Sequence, residues 1–204
     1  MKKQIVIIHG GDTFRTYKDY LKSLKEWRID LEDIKEKKAN WRDNLGKVLG
    51  KNFEIIAPKM PNKLNAKYLE WKIWFEKFIP FLKNGVILIG HSMGAIFLVK
   101  YLSENHFPKK INGVFLVAAP FDEKDTKYPL GDFKLPRNLE KLKEQAKKIF
   151  FYQSKDDPAV PFADFKKYQA GLPAAIFRSF VDRGHFLKQE KFPELIKDIK
   201  SLNR

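Results

Sequence analysis

The sequence predicts one doubly wound α/β domain over residues 1–204, with a mostly parallel sheet of about six strands and helices on both faces. Short apolar runs alternate with stretches of helical period, and the runs are continuously apolar. A continuous apolar run is typical of a strand that is buried on both faces, as in a parallel sheet. Strands that alternate with helices form right-handed βαβ units, whose helices cover both faces of the sheet.

The strands are predicted from segments that are rich in β-forming residues and end in turn signals. Four segments stand out, at 4–8, 53–57, 86–89 and 113–118, and two more complete the sheet at 148–153 and 175–181. In such sheets, ligands bind beyond the carboxyl ends of the strands. The residues that follow each strand are therefore the candidates for function.

Amphipathic stretches between these segments predict the helices. Residues 16–49 are too long for one crossover, so we expect two helices, a break near Ala39-Asn40, and a portion that leans over one edge of the candidate site. A last helix is expected over residues 193–202. One helix is expected to pack an aromatic-rich face on the sheet, formed by Trp71, Trp74, Phe75, Phe78 and Leu82.

Composition excludes several classes of chemistry. The chain has no cysteine, so disulfides, zinc-thiolate sites and a thiol nucleophile are excluded. The formal net charge of +15 raises the hypothesis of a nucleic-acid-binding protein. Lysines are interleaved with acidic residues, for instance over residues 18–38, which favours a lysine-rich solvated surface instead. No nucleic-acid partner is expected.

Targeting and membrane signals are also absent from the sequence pattern. The apolar run at residues 5–8 is too short for the core of a signal peptide. No apolar run approaches the roughly 20 residues of a membrane span. These observations predict a cytoplasmic protein without a membrane span.

A nucleophile motif follows the third predicted strand. Gly90-His91-Ser92-Met93-Gly94 has the pattern Gly-x-Ser-x-Gly, and a helical stretch begins directly after it. In a strand-turn-helix context, this pattern holds a serine on a strained turn with its hydroxyl exposed. The alternative is a structural turn with flanking glycines. The context favours Ser92 as a catalytic nucleophile.

A serine hydroxyl needs a neighbouring base, and imidazole suits that task near neutral pH. In folds with this motif the chain order is serine, acid, histidine, and of the four histidines only His185 follows the fifth strand. His185 is therefore predicted to be the general base, although a loop histidine is often only a surface group. For the acid, the sequence offers Asp156 and Asp157 after the fifth strand, and either could orient the imidazole or form a turn.

The developing oxyanion of the reaction needs backbone N–H donors. Met93 follows the nucleophile, and Gly11 ends the first strand at the right edge of the sheet, so both are predicted to form the oxyanion hole. A plain glycine turn is the alternative for Gly11. We expect His9 to brace this loop, His91 to face away from the site and His106 to lie on the surface.

These residues resemble the α/β hydrolases, and in particular the small serine hydrolases of the YdeN and retinoblastoma-binding-protein type. The resemblance covers nearly the whole chain and rests on His9-Gly10, the motif at Ser92, the segments at 154–161 and Gly184-His185-Phe186. It implies a trimmed α/β hydrolase in which the second aspartate, Asp157, is the triad acid. Residues 14–50 form a longer crossover than in that family, so the resemblance implies nothing about substrate preference.

The sequence thus predicts a serine hydrolase that transfers an acyl group from a small-molecule substrate to water without a metal or cofactor. A carboxylesterase for small or medium acyl groups is the leading form, and thioesters or activated amides are open. The rival hypotheses are a catalytically silent module that binds an unknown protein, a polyanion-binding protein, and an amidase or peptidase. A lid or acyl pocket is expected after the fourth strand, unless its apolar residues only anchor the loop: Phe121, Tyr128, Leu130 and Phe133.

Overall fold

A computed structural model describes residues 2–29, 31, 39–125 and 128–202. It contains a six-stranded sheet in the order β2-β1-β3-β4-β5-β6, and every neighbouring pair of strands is parallel. The predicted α/β class is confirmed. The strands are β1 (Lys3–Ile8), β2 (Phe53–Ile56), β3 (Val86–His91), β4 (Ile111–Val117), β5 (Ile149–Ser154) and β6 (Ile176–Phe180).

The helices connect the strands as crossovers. Those in the described part of the chain are α1 (Tyr17–Glu26), α2 (Trp41–Leu49), α3 (Tyr68–Glu76), α4 (Met93–Glu104), α5 (Glu140–Gln145), α6 (Phe162–Gly171) and α7 (Pro193–Ser201). Short 3-10 segments lie at Lys63–Asn65, Ile79–Phe81 and Gly131–Phe133. Among the described helices, none is both long and apolar enough to cross a membrane.

The sheet separates two hydrophobic clusters, because side chains alternate between its faces. In β3, Val86 and Leu88 join one cluster, while Ile87 and Ile89 join the other. Helices α3 to α6 cover the first face and helices α2 and α7 cover the second. Burial on both faces explains why the strands are continuously apolar.

The described part of the first crossover includes two unlike helices, α1 and α2. Helix α1 buries none of its residues, whereas α2 buries Trp41, Leu45 and Leu49. Helix α2 begins after Asn40, whose side chain accepts a hydrogen bond from the Arg42 N–H, so a helix start near Ala39-Asn40 is confirmed. Residues 30 and 32–38 of the predicted helical stretch lie outside the described residues.

The predicted aromatic face of α3 is partly wrong. Trp71 and Phe75 are fully buried, but Trp74 is 40% exposed. Tyr68, Trp71 and Phe75 define the buried face at spacings of three and four residues, which leaves Trp74 at its edge. Helix α3 also ends at Glu76, so Leu82 reaches the core through the following 3-10 segment and not on the same helix.

Candidate active site

Ser92 lies on the sharp turn between β3 and α4. Its backbone has φ 55° and ψ −121°, a region that residues with a side chain rarely adopt. A Cβ atom on Gly94 would lie 2.3 Å from the Ile8 carbonyl oxygen, and one on Gly90 would lie 2.5 Å from the Gly94 carbonyl oxygen. Both glycines of the motif are therefore required by the close approach of β1, β3 and α4.

Asp157 and His185 are paired beside this turn. The distances from His185 Nδ1 to the Asp157 carboxylate oxygens are 3.0 and 2.9 Å, and the Asp157 side chain has no exposed surface. The carboxylate also accepts hydrogen bonds from the N–H groups of Ala159 (2.8 Å) and Val160 (3.0 Å) and from Gln153 Nε2 (3.1 Å). This environment favours a proton on His185 Nδ1, which leaves Nε2 as the basic nitrogen.

Asp156 has a different set of contacts from its neighbour. Its Oδ1 atom accepts hydrogen bonds from the Ser154 hydroxyl and from the Gly184 N–H, the latter at 3.0 Å. The Ser154 hydroxyl in turn accepts the Arg183 N–H at 3.0 Å. Asp156 thus ties the turn after β5 to the loop that carries His185. The hydrogen bond from Ser154 lowers the pKa of Asp156 below its usual value.

The loop after β1 runs next to Ser92. A Cβ atom on Gly10 would lie 3.1 Å from the Ser92 Cβ atom, and one on Gly11 would lie 2.7 Å from the Lys63 carbonyl oxygen. Within the described residues, the N–H groups of Gly11 and Met93 have no hydrogen-bond acceptor. Both donors are available to a ligand at the turn.

His9 braces this loop, in agreement with the expectation from the sequence. Its Nε2 atom accepts the Met60 N–H at 2.9 Å, so Nδ1 carries the proton and donates to the Gly10 carbonyl oxygen at 2.6 Å. Burial lowers the pKa of His9 and so favours the neutral ring. His106 is exposed just after α4, also as expected.

His91 contacts both His185 and Arg42, which the sequence did not predict. Its Nε2–H donates to the His185 carbonyl oxygen at 2.8 Å, its Nδ1 accepts from Arg42 Nη1 at 3.3 Å, and its ring centre lies 4.9 Å from that of His185. The sequence predicted that His91 faces away from the site, but His91 supports the backbone of the predicted base, His185. Burial lowers the pKa of His91 far below its usual value, and the charges of His185 and Arg42 act in the same direction.

Residues 35–204 match the family of serine hydrolases. The chain belongs to that family. The serine hydrolase RBBP9 of Rattus norvegicus is 32% identical over 152 residues, which cover 74% of this chain and 78% of the rat protein. The hydrolase YdeN of Bacillus subtilis (strain 168) is 28% identical over 196 residues, covering 96% of this chain and 92% of YdeN.

Solved structures show the same fold as this serine hydrolase. The crystal structure of the ydeN gene product from B. subtilis superposes with a TM-score of 0.72 at 22% identity and covers 99% of both chains. The thioesterase domain from the curacin biosynthetic pathway superposes with a TM-score of 0.60 at 14% identity, covering 98% of this chain and 91% of that one. The α/β-hydrolase fold is thereby established.

Two cavities meet at Ser92 of this serine hydrolase. The first, called the polar cavity because the charged residues Arg42 and Lys63 line it, has a volume of about 580 Å³ and also reaches Ser92, Gly11 and His185. The apolar cavity has a volume of about 400 Å³ and is lined on one side by apolar groups after β4 and β5. These apolar groups include Tyr128 and Leu130 after β4 and Val160 after β5.

The four apolar residues expected near a lid divide into two roles. Tyr128 and Leu130 line the apolar cavity. Phe133 is fully buried against Trp71, and Phe121 packs on Tyr168, so these two anchor the loop. The predicted pocket is therefore formed by the middle of the segment and not by its ends.

One acidic cluster in the described part of the chain has the spacing of a metal site. Its carboxylates belong to Asp122, Asp125 and Asp164. Lys167 Nζ lies 2.8, 2.9 and 3.1 Å from these three side chains. The ammonium group of Lys167 therefore lies among the three carboxylates and offsets one of their negative charges.

Proposed function

We propose that this serine hydrolase cleaves carboxylic ester bonds of small-molecule substrates through Ser92, His185 and Asp157. One observation carries the proposal: a buried, fully hydrogen-bonded carboxylate holds His185 Nδ1, and His185 and Ser92 line the same two cavities. A nucleophile next to an oriented base is the arrangement that acyl transfer requires.

In the proposed reaction, His185 Nε2 removes the proton from the Ser92 hydroxyl while Oγ attacks the ester carbonyl carbon. The N–H groups of Gly11 and Met93 donate to the oxyanion that forms, and no other acceptor in the described residues competes for them. The imidazolium then gives its proton to the leaving alcohol. Water attacks the acyl-enzyme by the same route and releases the acid and free Ser92.

The size of the apolar cavity supports a substrate with a small or medium apolar group. A volume of about 400 Å³ fits a short acyl or alkyl chain but not an extended lipid. A thioester or an activated amide could react at the same groups, and the carboxylic ester is the substrate class that we propose first. No step calls for a metal or a cofactor.

The proposal is tested with a fluorophosphonate probe, followed by mass spectrometry of the adduct. We expect one adduct on Ser92, which Ser92→Ala removes and which Ser179→Ala, at an exposed serine of β6, leaves intact. We also expect hydrolysis of p-nitrophenyl butyrate at a rate that EDTA does not change. A folded protein without adduct and without turnover would contradict the proposal and favour a silent binding module.

A further inference from the structure

Arg42 places a guanidinium in the polar cavity at a costly position. It is the second residue of α2, and the positive end of a helix dipole disfavours a cation there. Burial lowers the pKa of Arg42 and thus also disfavours its charge. Both effects disfavour the charge of Arg42, and contact with an anion would offset them.

The protein itself satisfies only part of this guanidinium. Arg42 Nε donates to Asn40 Oδ1 at 3.2 Å, and Nη1 donates to His91 Nδ1 at 3.3 Å. A guanidinium carries more N–H groups than these two bonds use. Within residues 2–29, 31, 39–125 and 128–202, no other acceptor and no carboxylate pairs with Arg42. Arg42 lines the cavity that contains Ser92.

The other charges around the cavity do not replace a counter-ion for Arg42. The charge of Asp43 raises the pKa of Arg42 against the larger effect of burial. Asp43 is exposed, however, and its Oδ2 atom accepts the Asn40 N–H at 3.1 Å in the helix cap. Burial raises the pKa of Asp12, while the charge of Lys63 acts in the opposite direction. Lys63 and Asp12 therefore attract each other, and no carboxylate of the described residues lies within ion-pair distance of Arg42. Burial lowers the pKa of the neighbouring His9 and His91, which disfavours a charge on either ring.

We propose that Arg42 binds a carboxylate of the substrate, so that the enzyme prefers esters that join an apolar group to a carboxylate-bearing group. The planar fork of a guanidinium matches a carboxylate in a two-point contact. A single guanidinium balances one negative charge, which favours a carboxylate over a doubly charged phosphate. The apolar group occupies the cavity at Leu130 and Val160, and the ester lies at Ser92 between the two. This inference rests on the proposed function.

Binding to the Ser92→Ala protein tests the proposal without turnover. Calorimetry compares monobutyl glutarate with butyl 5-oxohexanoate, in which a methyl ketone replaces the carboxylate. A second pair, 4-(butyryloxy)butanoate and its methyl-ketone analogue, carries the carboxylate on the alcohol side. We expect the acid of at least one pair to bind about 10- to 100-fold more tightly than its ketone, as for a charge-assisted contact.

Three variants in the Ser92→Ala background assign this preference to Arg42. We expect Arg42→Met to reduce the acid-to-ketone preference to about twofold or less, and Arg42→Lys to keep part of it, because a lysine retains the charge without the fork. Lys47→Met removes an exposed cation from the same helix and should keep the full preference. Melting temperatures verify that each variant is folded.

Equal affinity for acid and ketone in both pairs would overturn the proposal, and so would a preference that persists in Arg42→Met. Rates with the active enzyme separate this outcome from a failure of the proposed function. If neutral esters are hydrolysed without any preference for acids, the proposed esterase function stands and the proposed role of Arg42 is wrong. If the acids bind more tightly but the protein shows neither turnover nor a Ser92 adduct, the proposed role of Arg42 stands and the proposed esterase function is wrong.

Discussion

The two sides of the cleft at Ser92 are built in opposite ways. On the inner side, the end of β3 and the loops after β5 and β6 hold Asp157 and His185 through partly buried hydrogen bonds. On the outer side, α1 buries no residue, and Trp27 reaches both cavities while 54% exposed. Geometry is thus tightly determined where the chemistry is proposed and loosely determined at the rim. Such a rim can change with the substrate at little cost to the fold.

Helix α2 belongs to the inner side, although it shares the first crossover with α1. Trp41 is buried, its Nε1–H donates to the Phe186 carbonyl oxygen at 2.9 Å, and its N–H donates to the Gln189 carbonyl oxygen at 2.7 Å. The segment around His185 is therefore held by α2 as well as by His91. Within the described residues of this crossover, α1 therefore belongs to the outer side and α2 to the inner side.

The largest effect is expected inside the inner region, at Asp157. We expect Asp157→Asn to reduce kcat by about 10²- to 10⁴-fold, measured with p-nitrophenyl butyrate. The Asp157 Oδ2 atom accepts from both His185 Nδ1 and Gln153 Nε2. An amide NH₂ group at that place would face two donors, so the imidazole is forced towards the wrong tautomer.

Asp156→Asn is the matched control for this prediction. Its Oδ1 atom receives both hydrogen bonds, and asparagine retains that oxygen. We expect a loss of about tenfold or less, since the role of Asp156 is to join two turns. A severe defect in Asp156→Asn combined with a mild one in Asp157→Asn, at unchanged melting temperatures, would reassign the triad acid.

The next effect compares two tryptophans of the same crossover. We expect Trp41→Ala to lower the free energy of unfolding by about 3–5 kcal/mol, because it leaves a cavity and removes the donor to Phe186. Trp27→Ala should change it by about 0.5 kcal/mol or less, as at other exposed positions. Urea unfolding measures both. Similar losses in the two variants would show that α1 is a structural part of the fold.

A smaller effect concerns pH and the buried ring of His91. Because burial lowers its pKa in the folded state, the unfolded chain binds more protons below about pH 6.5, and stability should fall as the pH drops below that value. The slope for one such histidine is at most about 1.4 kcal/mol per pH unit. We expect urea unfolding between pH 7 and pH 5 to show a weaker slope for His91→Gln than for the unaltered protein.

His9 contributes in the same direction in both proteins, so the difference between the slopes belongs to His91. The groups that face His91 are Arg42, His185 and Trp41. Parallel pH profiles for the two proteins would mean that His91 does not resist protonation in the folded state.

The smallest effect is expected on the outer side. Leu21 and Leu24 of α1 are each 40% exposed. We expect Leu21→Gln and Leu24→Gln to change the free energy of unfolding by about 0.5 kcal/mol or less. Leu45→Ala in α2, where the side chain is buried, should cost about 2–5 kcal/mol and serves as the comparison. A loss above about 1 kcal/mol at Leu24 would extend the inner region into α1.

The strands were predictable because burial on both faces imposes a continuous apolar pattern. Their ends differ by up to two residues: β3 extends to His91, because His91 still pairs with Val117 in β4. The turn at Ser92 was predictable because two glycines are required at fixed positions for steric reasons. In both cases, the physical constraint acts on residues that are close together in the sequence.

Contacts between residues that are far apart in the chain leave no pattern in the sequence from which they could be predicted. Arg42 and His91 are 49 positions apart, and His91 and His185 are 94 positions apart. The residue pattern also left Asp156 and Asp157 as alternatives, since both are short acidic side chains in the same turn. Their hydrogen-bond partners differ only once β5 and the loop after β6 lie side by side.

The backbone of Ser92 has a consequence for the evolution of this chain. A residue with a side chain is held at φ 55° and ψ −121°, where glycine would be relaxed. A variant with glycine at this position would relieve that strain and lose the hydroxyl. Selection for thermal stability alone would therefore act against the serine, and selection for its reactivity sets an upper limit on how stable the chain can become.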